Sequence, residues 1–182
     1  MDAALAWLDR HGAGDVAHPG GTLRGHLVRV GDRLAAWGLS DVVRLAGLTH
    51  AAYGTAGFED HLITPAQRDD LRAAIGAEAE ALVYTYGACD RSTSYPQFPG
   101  GEPFRLSDRF TGDEMRLGDA ETRAFVALTV ANEIDVMQHN AGLAARHGSS
   151  LRALAHESAH WLPATALRDL DLLTGGTPTG RG

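Results

Sequence analysis

The chain has 182 residues, 44% of them hydrophobic and 21% charged, with a formal net charge of −7. That length and balance fit one soluble domain with a real core and exclude a disordered chain. The acidic surplus argues against nucleic acid or an anionic membrane as partner, because no excess of cations exists to neutralise phosphates. Cys89 is the only cysteine, so no intrachain disulfide can form. A reducing compartment is therefore expected, and with no signal-like leader and no apolar run near the ~20 residues of a membrane span, the cytoplasm.

The elements follow in chain order. Residues 2–10 predict a short amphipathic helix, with Leu5 and Leu8 inward and Gly12 and Gly14 after it. HPGGT (18–22) reads as a turn whose Thr22 can cap the next helix, over 23–37, where Leu23, Leu27, Val30, Leu34 and Trp37 share a face. Ser40 and Asp41 open a helix reaching His50, and Tyr53-Gly54-Thr55-Ala56-Gly57 breaks the chain. Thr64-Pro65 is a cap-then-proline start, and a further helix covers 77–88. Residues 90–103, rich in Pro, Gly and Ser, read as a long surface loop. FRLSDRF and EMRLG around Thr111-Gly112-Asp113 suggest a small hairpin over 104–117. A long helix is expected from Asp119 to about Asn140, then shorter ones at 150–161 and 164–173, and a frayed tail. The sum is mainly α: a single domain over 1–175, a bundle of about seven helices with a possible hairpin, and a disordered tail over 176–182.

His26 and His50 stand 24 positions apart, each on a helix. Helices packed side by side can join two such imidazoles, which suit zinc, iron, nickel or manganese. The stretch they bound, with its lead-in LAGLTH, and the later AIGAEAEALVYTYG resemble the HD superfamily, most nearly its alarmone-hydrolase-like branch, over roughly 18–140. The resemblance implies a helical bundle, with a histidine on one helix and a His-Asp pair on a later one as metal ligands. Ala51, however, stands where that aspartate belongs, and AAYGT (51–55) replaces the acidic pair that serves alarmone hydrolysis. The family's last ligand, an aspartate on a long helix, aligns with Asn132, with Glu133 and Asp135 close by. Without a bridging carboxylate two adjacent cations repel each other, so at most one metal is expected. Its ligands would be His26, His50 and either Asn132 or Asp135; a weak asparagine would leave no metal at all.

Around this pair, Tyr53 and Arg68 are the candidate catalytic groups: a hydroxyl just past His50 that a turn would aim back, and a guanidinium able to grip an anion. His18, Thr55, Tyr84 and Arg91 are candidate substrate-binding residues. Separately, His156-Glu157-Ser158-Ala159-His160 matches H-E-x-x-H, whose histidines on one helical face bind zinc. The expected function is a metal-dependent enzyme acting on a small molecule, hydrolytic with one divalent transition metal. An iron oxygenase on the same site, a metal-free regulatory module and a zinc hydrolase at His156/His160 are the alternatives. Oligomeric state has no signature in the sequence.

Overall fold

In the computed structural model residues 1–58, 60–100 and 104–173 are described. They form helices α1 (Asp2–Arg10), α2 (Leu23–Ala36), α3 (Asp41–Thr49), α4 (Arg68–Ile75), α5 (Ala77–Ala88), α6 (Arg91–Ser94), α7 (Asp119–Gln138), α8 (Ala141–Glu157) and α9 (Ala164–Leu173). Strands β1 (Ala17–His18) and β2 (Gly21–Thr22) pair antiparallel, as do β3 (Phe104–Ser107) and β4 (Glu114–Leu117), where Phe104 faces Leu117. The protein is mainly α with a small hairpin where one was expected. The tail expected to fray, and the domain end at 175, lie outside the described residues.

Local chemistry explains most boundaries. Thr22 caps α2 by accepting from the Gly25 amide at 3.2 Å, and Ser40 caps α3 by accepting from Val43 at 3.4 Å. The Thr64-Pro65 start forms a 3₁₀ turn over Pro65–Gln67 before α4 begins. Central α7 is buried on most of its surface and packs against α2, α3, α5, α8 and α9. One apolar core gathers around it, with Phe98, Phe104 and Phe125. A second joins α1 to α2, α3, α4 and α5 through Trp7, Leu8, Leu27, Leu48, Leu71 and Val83.

The crossing of α2 and α3 positions the site. A Cβ on Gly31 would sit 2.8 Å from Leu48 Cγ, and one on Gly47 would collide with Leu34 Cδ1. Only glycine lets these backbones approach so closely, and the approach carries His26 on α2 toward His50 just past the end of α3.

Two expectations change. Residues 90–103 are not simply a surface loop: Asp90 caps α6 through the Ser92 amide at 2.9 Å, and a 3₁₀ turn follows over Tyr95–Gln97. Ser94 and Phe98 are buried, and the Phe98 carbonyl accepts from Trp161 Nε1 at 3.1 Å; 101–103 lie outside the described residues. The helix expected at 150–161 begins instead at Ala141, because Asn140 caps it by accepting from Leu143 at 3.1 Å. Among the described residues no helix is long and apolar enough to cross a membrane.

Candidate functional site

Three helices deliver three donor atoms to one point. His26 Nε2 and His50 Nε2 lie 3.3 Å apart, and Asn132 Oδ1 lies 3.1 Å from each. All three side chains are at most 5% exposed. His26 comes from α2, His50 from the C-cap of α3 and Asn132 from the middle of α7.

The far sides of the rings fix where the protons sit. His50 Nδ1 donates to the Gly47 carbonyl at 2.8 Å, so its Nε2 carries a lone pair in the neutral ring. Burial, and then the neighbouring His26, push the His50 pKa down to about 3, which keeps that ring neutral. His26 Nδ1 donates to Asp135 Oδ2 at 2.7 Å, and Asp135 is also gripped by Arg29 at 2.7 and 2.9 Å. Burial works against the Asp135 carboxylate, but the bonds from His26 and Arg29 outweigh it and hold its pKa well below the usual range. Asn132 Nδ2 is turned to Glu133 Oε1 at 3.3 Å, which leaves Oδ1 facing the histidines. Three acceptors thus meet with no hydrogen between them. A bound cation would relieve that arrangement.

The spacing is that of ligands on one ion. Donors bonded at about 2.0–2.1 Å in tetrahedral or octahedral geometry are separated from each other by roughly 2.8–3.4 Å. Among the described residues no three His, Cys, Asp or Glu side chains gather in this way, because the third donor here is an amide. Asn132 and Asp135 are one helical turn apart on α7, so one meets the histidines' Nε2 atoms and the other backs His26.

This centre forms part of the wall of a cavity of about 350 Å³, lined also by His18, Ala51, Thr55, Phe58, Arg91, Glu133 and His147. Ala51 offers no oxygen there. The His18 ring stacks on His26 with centroids 4.0 Å apart, and burial followed by His26 lowers its pKa to about 4. Arg91 Nη1 donates to Glu133 Oε1 at 3.2 Å, and Nη2 to Thr55 Oγ1 at 3.4 Å. His26, His50, Asn132, His18, Thr55 and Arg91 are therefore brought together, as the sequence suggested.

Tyr53, Arg68 and Tyr84 do not line the cavity. The turn after His50 sends Tyr53 toward α5, where its hydroxyl donates to Glu80 Oε1 at 2.7 Å. Arg68 grips Glu80 at 2.7 and 3.0 Å and lies 3.8 Å over the Tyr84 ring, whose hydroxyl donates to Asp108 at 2.8 Å. Buried Glu80 needs these donors, and the arrangement ties α4 to α5. Burial, then the bond to Glu80, raise the Tyr53 pKa, which leaves a poor acid.

The H-E-x-x-H string is also dispersed. α8 ends at Glu157, and His160 falls in a separate 3₁₀ turn, so the two histidines do not share a helical face. His156 Nε2 bonds Asp171 at 2.8 Å, and His160 packs on Trp161. Phe58, Tyr86 and His147 were missed. Tyr86 meets His50 edge-on at 5.2 Å, but α5 is apolar nearly all round and its sequence marks no face. His147 reaches the cavity from a helix whose start was misplaced.

The family described as Domain of unknown function (DUF6817) matches residues 7–91, a stretch that contains His18, His26, His50, Thr55 and Arg91 and stops short of Asn132. No curated protein and no solved structure matches the chain.

Proposed function

We propose that this chain is a metal-dependent enzyme that hydrolyses a bond in a small molecule, a phosphate ester or a related linkage. One divalent transition-metal ion would be held by His26, His50 and Asn132. The observation that carries this reading is the meeting of three lone-pair donors at 3.1–3.3 Å, with both imidazole tautomers fixed from behind, on the wall of a cavity. The donor set of two imidazoles and one amide oxygen suits zinc, iron, manganese or nickel. A bound ion of this kind supplies Lewis acidity and a water that loses its proton near neutral pH.

The chain's own residues supply the rest. Asp135 and the Gly47 carbonyl keep the Nδ1 atoms protonated, so both Nε2 atoms present lone pairs. Leu23, Phe58, Val136 and Leu143 form the apolar part of the wall and restrict water around the reacting bond. His18, neutral above its lowered pKa, adds an uncharged polar ring to the cavity wall beside His26. The same proposal takes the bundle as HD-like, reduced from two metals to one by Ala51, and places the protein in the cytoplasm. A metal-free binding module is the second reading. It is favoured by the amide in the third position, since among the described residues no three His, Cys, Asp or Glu side chains gather to hold an ion.

Elemental analysis separates the two. Protein purified without chelators and incubated with Zn(II), Mn(II) or Fe(II) should hold one ion per chain. His26→Ala and His50→Ala should abolish binding while His156→Ala retains it. Metal-free wild type, or loss confined to His156→Ala, would overturn the proposal.

A further inference from the structure

Arg91, which lines the cavity, is tied less tightly than Arg29, which backs the centre through Asp135. Arg29 forks onto Asp135 at 2.7 and 2.9 Å, and elsewhere Arg68 forks onto Glu80 at 2.7 and 3.0 Å. Those are the lengths of two-pronged charged hydrogen bonds. Arg91 has only long contacts: Glu133 Oε1 at 3.2 Å, Thr55 Oγ1 at 3.4 Å and the Tyr86 hydroxyl at 3.5 Å. Its Nε has no hydrogen-bond partner among the described residues. A guanidinium that is 30% exposed and held only by long bonds can exchange them for shorter ones to a ligand, and this one lines the cavity.

Glu133 mirrors it. One oxygen, Oε1, is shared by Arg91, the Tyr95 hydroxyl at 3.3 Å and Asn132 Nδ2 at 3.3 Å. The other, Oε2, has no hydrogen-bond partner among the described residues. Glu133 thus gives Arg91 a single-oxygen contact where a ligand could give two.

We propose that Arg91 is the clamp for a terminal oxyanion of the substrate, and that the Glu133 carboxylate holds the clamp until such a ligand displaces it. Thr55 Oγ1, already beside Nη2, would share the incoming oxygens. The inference rests on the reading of this cavity as the substrate site and adds the class of substrate: a small molecule bearing a phosphate or carboxylate. Neutral molecules, unable to displace Glu133, would be rejected.

Calorimetric titration with inorganic phosphate and, separately, acetate tests this, on protein as purified and after chelation. One anion per chain should bind in both states; tighter phosphate identifies a phosphorylated substrate and tighter acetate a carboxylate. Arg91→Gln should weaken binding at least about tenfold, and Arg91→Lys, which keeps the charge but not the fork, should fall between. Glu133→Gln should tighten binding by about threefold or more in wild type and by much less in the Arg91→Gln background, the signature of direct competition. Exposed Arg116→Gln should match wild type. Wild-type affinity in Arg91→Gln, weaker binding in Glu133→Gln, or no anion binding would overturn the inference. Metal content is measured separately, so failure of the metal reading with Arg91-dependent binding intact is distinguishable from failure of the clamp.

Discussion

Asp135 is fully buried and receives hydrogen bonds from His26 Nδ1 at 2.7 Å and from Arg29 at 2.7 and 2.9 Å. It stands outside the three-donor centre but sets the tautomer and orientation of one donor. Asp135→Asn should therefore lower metal affinity by about 10–100-fold without removing a donor atom. Asn132→Asp should act in the opposite sense, because a carboxylate oxygen replaces an amide oxygen in the centre itself; competition titration against a chelating dye measures both. An affinity unchanged by either substitution would show that the ion is not held here. The sequence named both residues but could not divide their roles. Three positions apart on one helix they share a face, and only the tilt of α7 against α2 decides which meets Nε2 and which meets Nδ1. The pairing of His26 and His50 was legible because one lies on, and the other at the end of, a helix with a periodic apolar face. Tyr53 was misread because the direction of a tight turn depends on Glu80, far along the chain and hidden in an otherwise apolar helix.

At the scale of elements, the α2–α3 crossing is the part on which the site depends. Gly31→Ala places a methyl 2.8 Å from Leu48 Cγ and 3.4 Å from the Arg44 carbonyl, both in packed surroundings. The expected cost is about 1–3 kcal/mol in denaturant unfolding, with a loss of metal affinity as His26 and His50 separate. The α4–α5 tie gives an independent check. Burial opposes the Glu80 carboxylate, yet bonds from Arg68, Tyr53 and Arg72 outweigh it and lower its pKa. A lowered folded pKa adds stability that is present above the unfolded value, about 4.3, and is lost as pH falls through the folded one. Glu80→Gln should cost roughly 3 kcal/mol at pH 7 and flatten that acid limb, while metal content stays unchanged. Helices with side-chain caps and periodic faces, such as 23–36 behind Thr22 and 41–49 behind Ser40, were readable from sequence. The start of α8 was not, because Asn140 serves as its N-cap only one residue beyond the C-cap of α7, and Gly142 and Gly148 dilute the helical pattern.

For the whole molecule, two apolar cores meet around a small group of buried polar side chains, and that group coincides with the cavity wall. Its charges are partly offset internally: Asp135 by Arg29, and Glu133 by Arg91. What is left unbalanced is the set of three facing lone pairs and one loosely held guanidinium, and these are the features that ask for a cation and an anion. The helical class and hairpin were visible in the sequence; the gathering of His26, Asn132 and Arg91 from α2, α7 and α6 is a tertiary fact that periodicity does not encode. The most direct test is a crystal of protein loaded with zinc, measured on both sides of the zinc absorption edge. One anomalous peak bounded by His26 Nε2, His50 Nε2 and Asn132 Oδ1 is the expected result. An empty centre in zinc-loaded crystals, or a peak beside His156 instead, would contradict the account.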